Sequence, residues 1–453
     1  MSRVKCTQPV FTLPLRVVTI PPIARNWELV ASMDAQPLGI EEQFRLRALI
    51  IGTFTPGQPI RQLDLFAGRQ HQINKVLEAV LSPGQHAAIY GERGVGKSSL
   101  ANLIYDMVFA GGKMSFIPVR INCGQVISFH EIWREVFRQV QMRSTHNETP
   151  LDEQVSETPN SQDIVRIFER VKNPSIIVLD EFDRIDETTS AAMSDTIKAL
   201  SDHGVEATLV LVGVANSVEQ LIREHQSIDR ALIQVPMPRM SRQELIAIVN
   251  TGMARISELS IEDGLGRRMA DISKGLPHYI HLLAKYSALT AVNDGRRNIT
   301  YKDYENALKE ATADKSQSLD KAYQTATHSA FESIFEEVLL ACALATDQRG
   351  FFGAKDVRTP LGKIMGKPAI KIEAYIRHLD KFTQEPRGPV LKKEGPKRRF
   401  QYSFVEPMMQ PYVLMKALAD KRITEEQLSV LSNPSIVSGQ PYEQWLFGDQ
   451  ETS

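Results

Sequence analysis

A glycine-rich octapeptide, GERGVGKS at residues 91–98, follows directly on the apolar run HAAIY. Backbone N–H groups hold a phosphate chain by converging on its oxygens, and residues without a Cβ let the main chain wrap that closely. Gly91, Gly94 and Gly96 provide this freedom. The pattern over 97–109 is helical, so the positive end of that helix would face the same phosphates. A strand, this loop and a helix in that order predict a nucleotide site, whereas a chance glycine-rich turn would not explain the flanking elements.

The residues of this loop have separate expected tasks. Lys97 is expected to reach the β- and γ-phosphate oxygens, and the Ser98 hydroxyl is expected to meet Mg²⁺. The residues expected to surround the phosphates of ATP or ADP are Gly91, Glu92, Arg93, Gly94, Val95, Gly96, Lys97, Ser98 and Ser99.

A second signal is the run SIIVL at 175–179, which ends in Asp180 and Glu181. Unbroken apolar runs are typical of strands that are covered on both faces, as in parallel sheets flanked by helices. Ligands bind at the carboxyl ends of such strands. We therefore expect Asp180 to hold the Mg²⁺ shell and Glu181 to orient and deprotonate the attacking water. An acidic surface turn over 180–183 is the alternative, but it does not account for the apolar run.

Two further candidates lie next to later strands of the predicted sheet. Asn216 follows the apolar run at 208–214 and would point at the γ-phosphate if that strand lies beside the acidic one. A lone Asn is otherwise a turn or helix-cap residue. Arg230 precedes a fifth strand at 232–236 and could stabilise transition-state charge on a neighbouring subunit's nucleotide. A weak surface ion pair is an equal alternative for this arginine.

Two helix starts are also candidates for nucleotide contact. Gly68 and Arg69 are equally suited to lie against an adenine ring or to form a helix-entry turn. In the segment GLPH, Pro277 and His278 begin a later helix, from which His278 could approach the phosphates. A histidine at a helix start is more often a capping or core residue.

Composition limits the classes of protein that the chain can belong to. With 453 residues, the chain should hold two to four domains, and its net charge of −1 gives no global attraction to nucleic acid or membrane. Three distant cysteines fit a reducing compartment better than a disulfide framework. No apolar run approaches the roughly 18 residues of a membrane helix. We expect a cytoplasmic protein that does not enter a membrane.

The patterns predict an α/β fold with a five-stranded parallel sheet, followed by an all-helical lid and a smaller C-terminal domain. The expected parts are an extended arm over 1–60, the nucleotide-binding core over 61–240, the lid over 241–312, the C-terminal domain over 328–419 and a tail over 420–453.

The C-terminal domain contains a basic segment, because residues 351–400 hold 13 Lys and Arg against 5 Asp and Glu. Helices predicted at 331–344, 355–364 and 369–382, with a hairpin at 390–404, describe a winged helix, whose third helix enters the major groove of duplex DNA. The candidate DNA contacts on or beside the third helix and the wing are Lys367, Lys371, Arg377, Lys381, Lys392, Lys393, Lys397, Arg398 and Arg399. The alternative is a solvated charged face on a winged helix that docks protein.

Together these motifs resemble the AAA+ and STAND group of P-loop ATPases, nearest to the origin-recognition initiator branch, over about residues 62–415. The resemblance implies that residues 91–99 are a Walker A motif, that Asp180 and Glu181 are a Walker B motif, and that Asn216 is a sensor. Arg230 would be an arginine finger in a nucleotide-dependent homo-oligomer. Initiators carry an arginine where this chain has His278, and the GLPH segment is more similar to the Gly-x-Pro signature of STAND switches. That difference implies a slow switch instead of a rapid motor.

Two functional interpretations follow. In the first, a slow, Mg²⁺-dependent ATPase couples its nucleotide state to the binding of duplex DNA, in replication, transposition or genome defence. In the second, a STAND-like signalling ATPase uses its winged helix as a regulatory or protein-docking module, binds no nucleic acid and assembles with a protein effector.

Overall fold

The computed structural model describes residues 37–60, 62–110, 116–125, 128–143, 150–222, 228–313, 317–331, 333–367, 370–396 and 399–431. Most of the predicted arm, the wing residues Lys397 and Arg398, and most of the predicted tail lie outside these residues.

A parallel sheet of five strands forms the centre of the molecule, in the order β2-β3-β4-β1-β5. The strands are β1 (His86–Gly91), β2 (Ile117–Asn122), β3 (Ser175–Asp180), β4 (Ala207–Val214) and β5 (Leu232–Pro236). The predicted α/β fold and its five parallel strands are confirmed. Every residue of β3 is buried, as expected for a strand with helices on both faces.

Helices flank this sheet on both faces. The first helix, α1 (Ile40–Thr53), packs instead against the lid helix over 277–293. The flanking helices are α2 (Gln70–Leu81), α3 (Lys97–Ala110), α4 (Phe129–Arg143), α5 (Ser161–Phe168), α6 (Glu187–Asp202) and α7 (Val218–Leu221). The spacing of apolar residues in α4 gives it one buried stripe, which includes Trp133 and Phe137. Helix α5 begins with a capping box in which Asn160 and Asp163 exchange hydrogen bonds with each other's backbone.

The lid follows β5. Its helices are α8 (Arg242–Arg255), α9 (Leu265–Ser273), α10 (Pro277–Asn293) and α11 (Tyr301–Ala313). The prediction that this region contains helices only was wrong, because β6 (Ser260–Ile261) and β7 (Asn298–Ile299) pair in parallel. Two-residue strands carry too few side chains to show a period of two in the sequence.

The C-terminal domain has the order of a winged helix: helix, strand, two helices, then two strands. After α12 (Gln317–Thr327), its elements are α13 (Phe335–Ala345), β8 (Phe351–Gly353), α14 (Arg358–Ile364), α15 (Ile376–Phe382), β9 (Leu391–Glu394) and β10 (Gln401–Phe404). Strand β10 lies between β8 and β9 and is antiparallel to both. Two helices, α16 (Met409–Ala419) and α17 (Glu425–Leu431), complete the described chain.

The third helix of this domain is shorter than predicted. The pattern indicated one helix over 369–382, whereas a short 3-10 helix, Ile372–Ala374, is separated from α15 by Tyr375. Tyr375 is fully buried, and its hydroxyl donates a hydrogen bond to the carbonyl of Ala354 at 2.7 Å. This buried tertiary contact fixes the break between the two helical segments, and a helical period does not reveal it.

One apolar core runs from the sheet through the lid into the winged helix. It includes Val178 on the face of the sheet covered by α3, Tyr279 in the lid and Leu339 in α13. A second core lies under α4, α5 and α6 on the opposite face of the sheet. The winged helix is therefore packed against the lid, which brings it within reach of the carboxyl end of β1.

Candidate nucleotide-binding site

The glycine-rich loop turns sharply between β1 and α3. Gly94 and Gly96 have φ angles of 87° and 97°, in the left-handed region that favours glycine. A Cβ added to Gly91 would lie 2.3 Å from the carbonyl oxygen of Met237, in the segment after β5. The loop therefore needs glycine for its own conformation at two positions and for a close backbone approach at a third.

Lys97 is the first residue of α3, and its side chain turns back over the loop. Its Nζ donates hydrogen bonds to the carbonyls of Gly91 at 3.0 Å and Glu92 at 2.8 Å. Burial lowers the pKa of Lys97 to about 8, and the charges of Asp183 and Asp180 oppose that shift. The amine lies at the mouth of the loop, where it could meet phosphate oxygens.

Asp180 ends β3 beside the start of α3. Asp180 Oδ1 accepts hydrogen bonds from the Ser98 hydroxyl at 3.4 Å and from the Glu181 backbone N–H at 3.0 Å. Its Oδ2 forms an ion pair with the Arg120 guanidinium from the edge strand β2. The Ser98 hydroxyl and the Asp180 carboxylate lie together at this end of the sheet, and no pattern in the sequence indicated the arginine.

Glu181 and Asp183 follow in the turn after β3. Glu181 has a φ of 56°, and its Oε2 lies 3.3 Å from the Arg184 guanidinium in the 3-10 turn that follows β3. Asp183 Oδ1 instead accepts a hydrogen bond from the backbone N–H of Val214 at 2.8 Å. Sequence reasoning missed Asp183, which is the acid with the largest effect on the pKa of Lys97.

The two candidates on later strands lie at opposite ends of the sheet. Asn216 is exposed just after β4, between the strands that carry the loop and Asp180, and its backbone N–H is bonded to Gln220 Oε1 at 2.9 Å. Arg230 is exposed just before β5, at the amino end of the parallel strands. Because that end is opposite to the loop, Arg230 could act only on a nucleotide held by another copy of the chain.

An apolar cavity lies next to the loop. The residues that line it come from the segment before α2, the loop, the segment after β5 and the lid: Ile60, Phe66, Ala67, Arg69, Val95, Gly96, Ser99, Met237, Met240, Ile248 and Pro277. Walls of this kind suit a nucleobase. Gly68, with a φ of 75°, packs on Glu244 beside it.

Arg69, at the N-cap of α2, and His278 both form hydrogen bonds within the protein. The Arg69 guanidinium donates hydrogen bonds to the carbonyls of Val95, at 3.1 Å, and Pro238, so it links the loop to the segment after β5. His278 Nδ1 donates to the carbonyl of Pro56, and that nitrogen is therefore not available to a phosphate in this conformation. Of the two lid residues, Pro277 is the one that lines the cavity.

A buried arginine in the segment after β5 links the winged helix to the loop. Arg239, whose side chain is 4% exposed, forms two hydrogen bonds to the Glu92 carboxylate, at 2.7 and 3.0 Å. The same guanidinium donates to Gln410 Oε1 in α16 and to the carbonyl of Lys274 in the lid. Arg239 therefore joins the core, the lid and the winged helix at the phosphate loop.

Two neighbouring loop residues also contact the winged helix. Arg93 pairs with Glu406 at 3.1 Å, and a Cβ on Gly94 would lie 2.9 Å from the sulfur of Met408. Tyr279 of the lid donates its hydroxyl proton to the Met408 carbonyl at 2.6 Å. The segment before α16 thus covers the loop.

Two of the predicted DNA contacts on the wing form ion pairs. Lys392 pairs with Glu394 at 2.9 Å, and Lys393 pairs with Asp380 at 3.0 Å. The exposed cations on or beside the third helix and the wing are Lys367, Lys371, Arg377, Lys381 and Arg399.

The residues at this site fit a nucleoside triphosphate with Mg²⁺. The loop offers an amine and backbone N–H groups without obstruction by Cβ atoms, while Ser98 and Asp180 offer the hard oxygen ligands that Mg²⁺ takes. With the strand order of the sheet and the lid behind it, this site defines a P-loop NTPase of the AAA+ class.

Within that class, residues 59–357, which are more than half of the chain, match the family described as Novel STAND NTPase 1, and the protein belongs to this family. No curated protein matches the sequence significantly.

Several solved structures are similar to this chain at low sequence identity. Cdc6p from Pyrobaculum aerophilum is 13% identical, with a TM-score of 0.44, and the match covers 83% of this chain and 99% of that one. The ORC2 protein of Aeropyrum pernix, in ADPNP and ADP complexes, is 15% identical, with a TM-score of 0.43 and coverages of 89% and 96%. The ORC1 protein of the same organism, in complex with DNA, is 13% identical, with a TM-score of 0.45 and coverages of 83% and 98%.

Among the described residues, no helix has both the length and the apolar character needed to span a membrane.

Proposed function

We propose that the protein is a nucleotide-controlled switch, in which the winged helix rests on the phosphate loop in one nucleotide state and leaves it in another. The observation that carries this proposal is the Arg239 junction, where one buried guanidinium binds Glu92 of the loop and Gln410 of the winged helix. A loop that changes shape around a different phosphate chain would move Glu92. The charge pair would then pass that movement to α16.

The residues of the site have proposed roles in binding and slow hydrolysis of ATP. Lys97 would bind the β- and γ-phosphates, and Ser98 and Asp180 would hold Mg²⁺, which supplies charge neutralisation to the phosphates. Glu181 would activate water after its carboxylate turns away from Arg184. That ion pair is exposed and therefore weak, so its loss costs little. Asn216 would orient the water from the neighbouring strand.

Assembly would complete the switch. Arg230 lies at the far end of the sheet from its own loop, which supports a role on the nucleotide of a neighbouring protomer. Release of the winged helix would expose the surfaces through which protomers, or a protein effector, join.

The test compares the size of the full chain with ADP and with a non-hydrolysable ATP analogue, by size-exclusion chromatography with light scattering and without DNA. We expect a compact monomer with ADP and a larger or more extended species with the analogue. Lys97→Ala should abolish the difference, whereas Glu181→Gln should bind ATP and retain it. The same size in both states, with nucleotide bound in each, would refute the switch.

Binding of duplex DNA is the second candidate function, and exposed cations on the winged helix favour it. Lys371 and Arg377 lie on or beside the third helix, and neither forms an ion pair within the described residues. Phosphate contacts of this type give affinity that falls steeply with salt. The nucleotide state would then decide whether this face is presented to DNA.

A fluorescence anisotropy titration with duplex DNA, across salt and nucleotide states, tests this second function. The variant Lys397→Ala/Arg398→Ala/Arg399→Ala should weaken binding and reduce its salt dependence. A matched control, Arg267→Ala/Lys302→Ala/Lys309→Ala, removes three exposed cations from the lid helices α9 and α11 and should leave DNA affinity unchanged. Equal affinities for the wild type and the wing variant would remove DNA binding by this face.

A further inference from the structure

The carboxylate of Asp180 contacts Ser98 with one oxygen and Arg120 with the other. On one side it faces Ser98 and the phosphate loop, where a metal ion bound to a nucleotide would need it. On the other side its Oδ2 is held by Arg120. Hydrogen bonds between charged groups are among the stronger polar contacts in proteins. A cation from the protein therefore already occupies an oxygen that a divalent metal would use.

The position of Arg120 on its strand explains how it reaches this carboxylate. In the register of β2 and β3, Arg120 lies opposite Val178, and Asn122 lies opposite Asp180. Since alternate residues of a strand point to the same face, Arg120 projects toward the face of the sheet that carries Asp180. From there the guanidinium extends diagonally along the sheet to the end of β3.

The backbone of Arg120 forms hydrogen bonds at the outer edge of the sheet. Gln139 in α4 accepts a hydrogen bond from the Arg120 backbone N–H at 3.3 Å and donates one to its carbonyl at 3.1 Å. The free edge of β2 is thereby hydrogen-bonded at this residue. The Arg120 side chain, however, is 37% exposed, so its guanidinium can move into solvent at small cost.

We propose that Arg120 is a positioning residue that competes with the divalent metal for Asp180, so that nucleotide binds in two forms, with the arginine or with the metal on this carboxylate. This inference rests on the proposed nucleotide site and adds its regulation. When the arginine holds Asp180, ADP binds with little dependence on Mg²⁺. A high Mg²⁺ concentration displaces the guanidinium and makes Asp180 competent for hydrolysis.

The expected effect of removing the competitor follows from the population of the metal-competent state. If Arg120 holds Asp180 nine-tenths of the time, the apparent metal affinity is reduced about tenfold. Arg120→Gln should lower the metal concentration at half-saturation by about that factor. Arg120→Lys keeps a cation but not the planar guanidinium, so its midpoint should lie between those of the wild type and Arg120→Gln.

The experiment titrates Mn²⁺, detected by electron paramagnetic resonance, into the full chain at saturating ADP, with Mg²⁺ repeats followed by fluorescent ADP. Arg138→Gln is the matched control, because it removes an arginine from α4 that is paired with Glu135 and not with Asp180. In an Asp180→Asn background, Arg120→Gln should change nothing, since the shared oxygen has lost its charge.

The outcomes separate this inference from the proposed function. A midpoint lowered by Arg120→Gln and not by Arg138→Gln supports competition. Normal ADP binding with equal midpoints in the wild type, Arg120→Gln and Arg120→Lys would overturn the competition alone, as would a midpoint raised by Arg120→Gln. Failure of the wild type to bind ADP would overturn the nucleotide site and the competition with it.

Discussion

Gln410→Met is the substitution that most directly tests the junction between the phosphate loop and the winged helix. Gln410 is fully buried in α16, where its Oε1 accepts from Arg239 and its Nε2 donates to the Ala343 carbonyl at 2.9 Å. Methionine has a similar volume and is flexible, so packing should survive. The variant removes the acceptor that joins the winged helix to Arg239.

The expected size of the effect depends on the hydrogen bond that connects the core to the winged helix. The bond to Ala343 stays inside the winged helix, because that residue is in α13, whereas the bond from Arg239 crosses to the core. A hydrogen bond to a charged group contributes about 1.5–3 kcal/mol. Its loss should shift the equilibrium from the closed to the open arrangement by roughly 10- to 150-fold.

The assay is the release of fluorescent ADP after a chase with unlabelled ADP, together with urea unfolding of the same samples. If release requires the open arrangement, Gln410→Met should release ADP at least about tenfold faster. Gln410→Glu retains an acceptor for Arg239 and should release slowly. Glu406→Gln is the control: its partner Arg93 has a side chain that is 73% exposed, and such pairs contribute about 0.2–1 kcal/mol.

One result would refute this reasoning about the junction. If Gln410→Met unfolds cooperatively and releases ADP at the rate of the wild type, the Arg239 junction does not control access to the site. Equal acceleration by Gln410→Met and Glu406→Gln would also contradict it, because the two contacts differ in burial and should differ in strength.

Three further predictions concern pH and the loop. Burial lowers the pKa of His86 and His281 to about 4, so the unfolded chain binds protons more readily than the folded one. The free energy of unfolding, measured with urea, should therefore fall as the pH drops from about 6.5 toward 4. Above pH 6.5 these histidines should not change it. Lys97, with its pKa near 8, should lose its charge as the pH rises, so the affinity for fluorescent ADP should weaken through about pH 8. Asp183→Asn should move that midpoint to lower pH, because the Asp183 charge raises the pKa of Lys97. An unchanged midpoint would show that Asp183 does not influence the pKa of Lys97. Gly91→Ala would put a Cβ 2.3 Å from a main-chain carbonyl oxygen, which should lower the free energy of unfolding by about 1–3 kcal/mol and impair ADP binding, as calorimetry would detect.

The parts of this protein that could be predicted are those in which neighbouring residues carry the information. The loop at 91–98 could be predicted because its glycines, lysine and serine lie within eight residues. Asp180 could be predicted because a buried strand ends at it. Periodicity indicated the three helices of the winged helix, but no helix was predicted at α6, Glu187–Asp202. It did not reveal β6 and β7, which are too short to show a period, or the break at Tyr375, which depends on a contact with the distant Ala354.

The sequence by itself determined the nucleotide-binding loop, the five strands of the parallel sheet, and the presence of a basic C-terminal domain. Only the tertiary structure decided which charges meet. Arg120 and Asp180 are 60 residues apart, Arg239 and Glu92 147, and Arg239 and Gln410 171. The physical reason is that local preferences act over a few residues, whereas packing of the sheet, the lid and the winged helix against one another selects these partners.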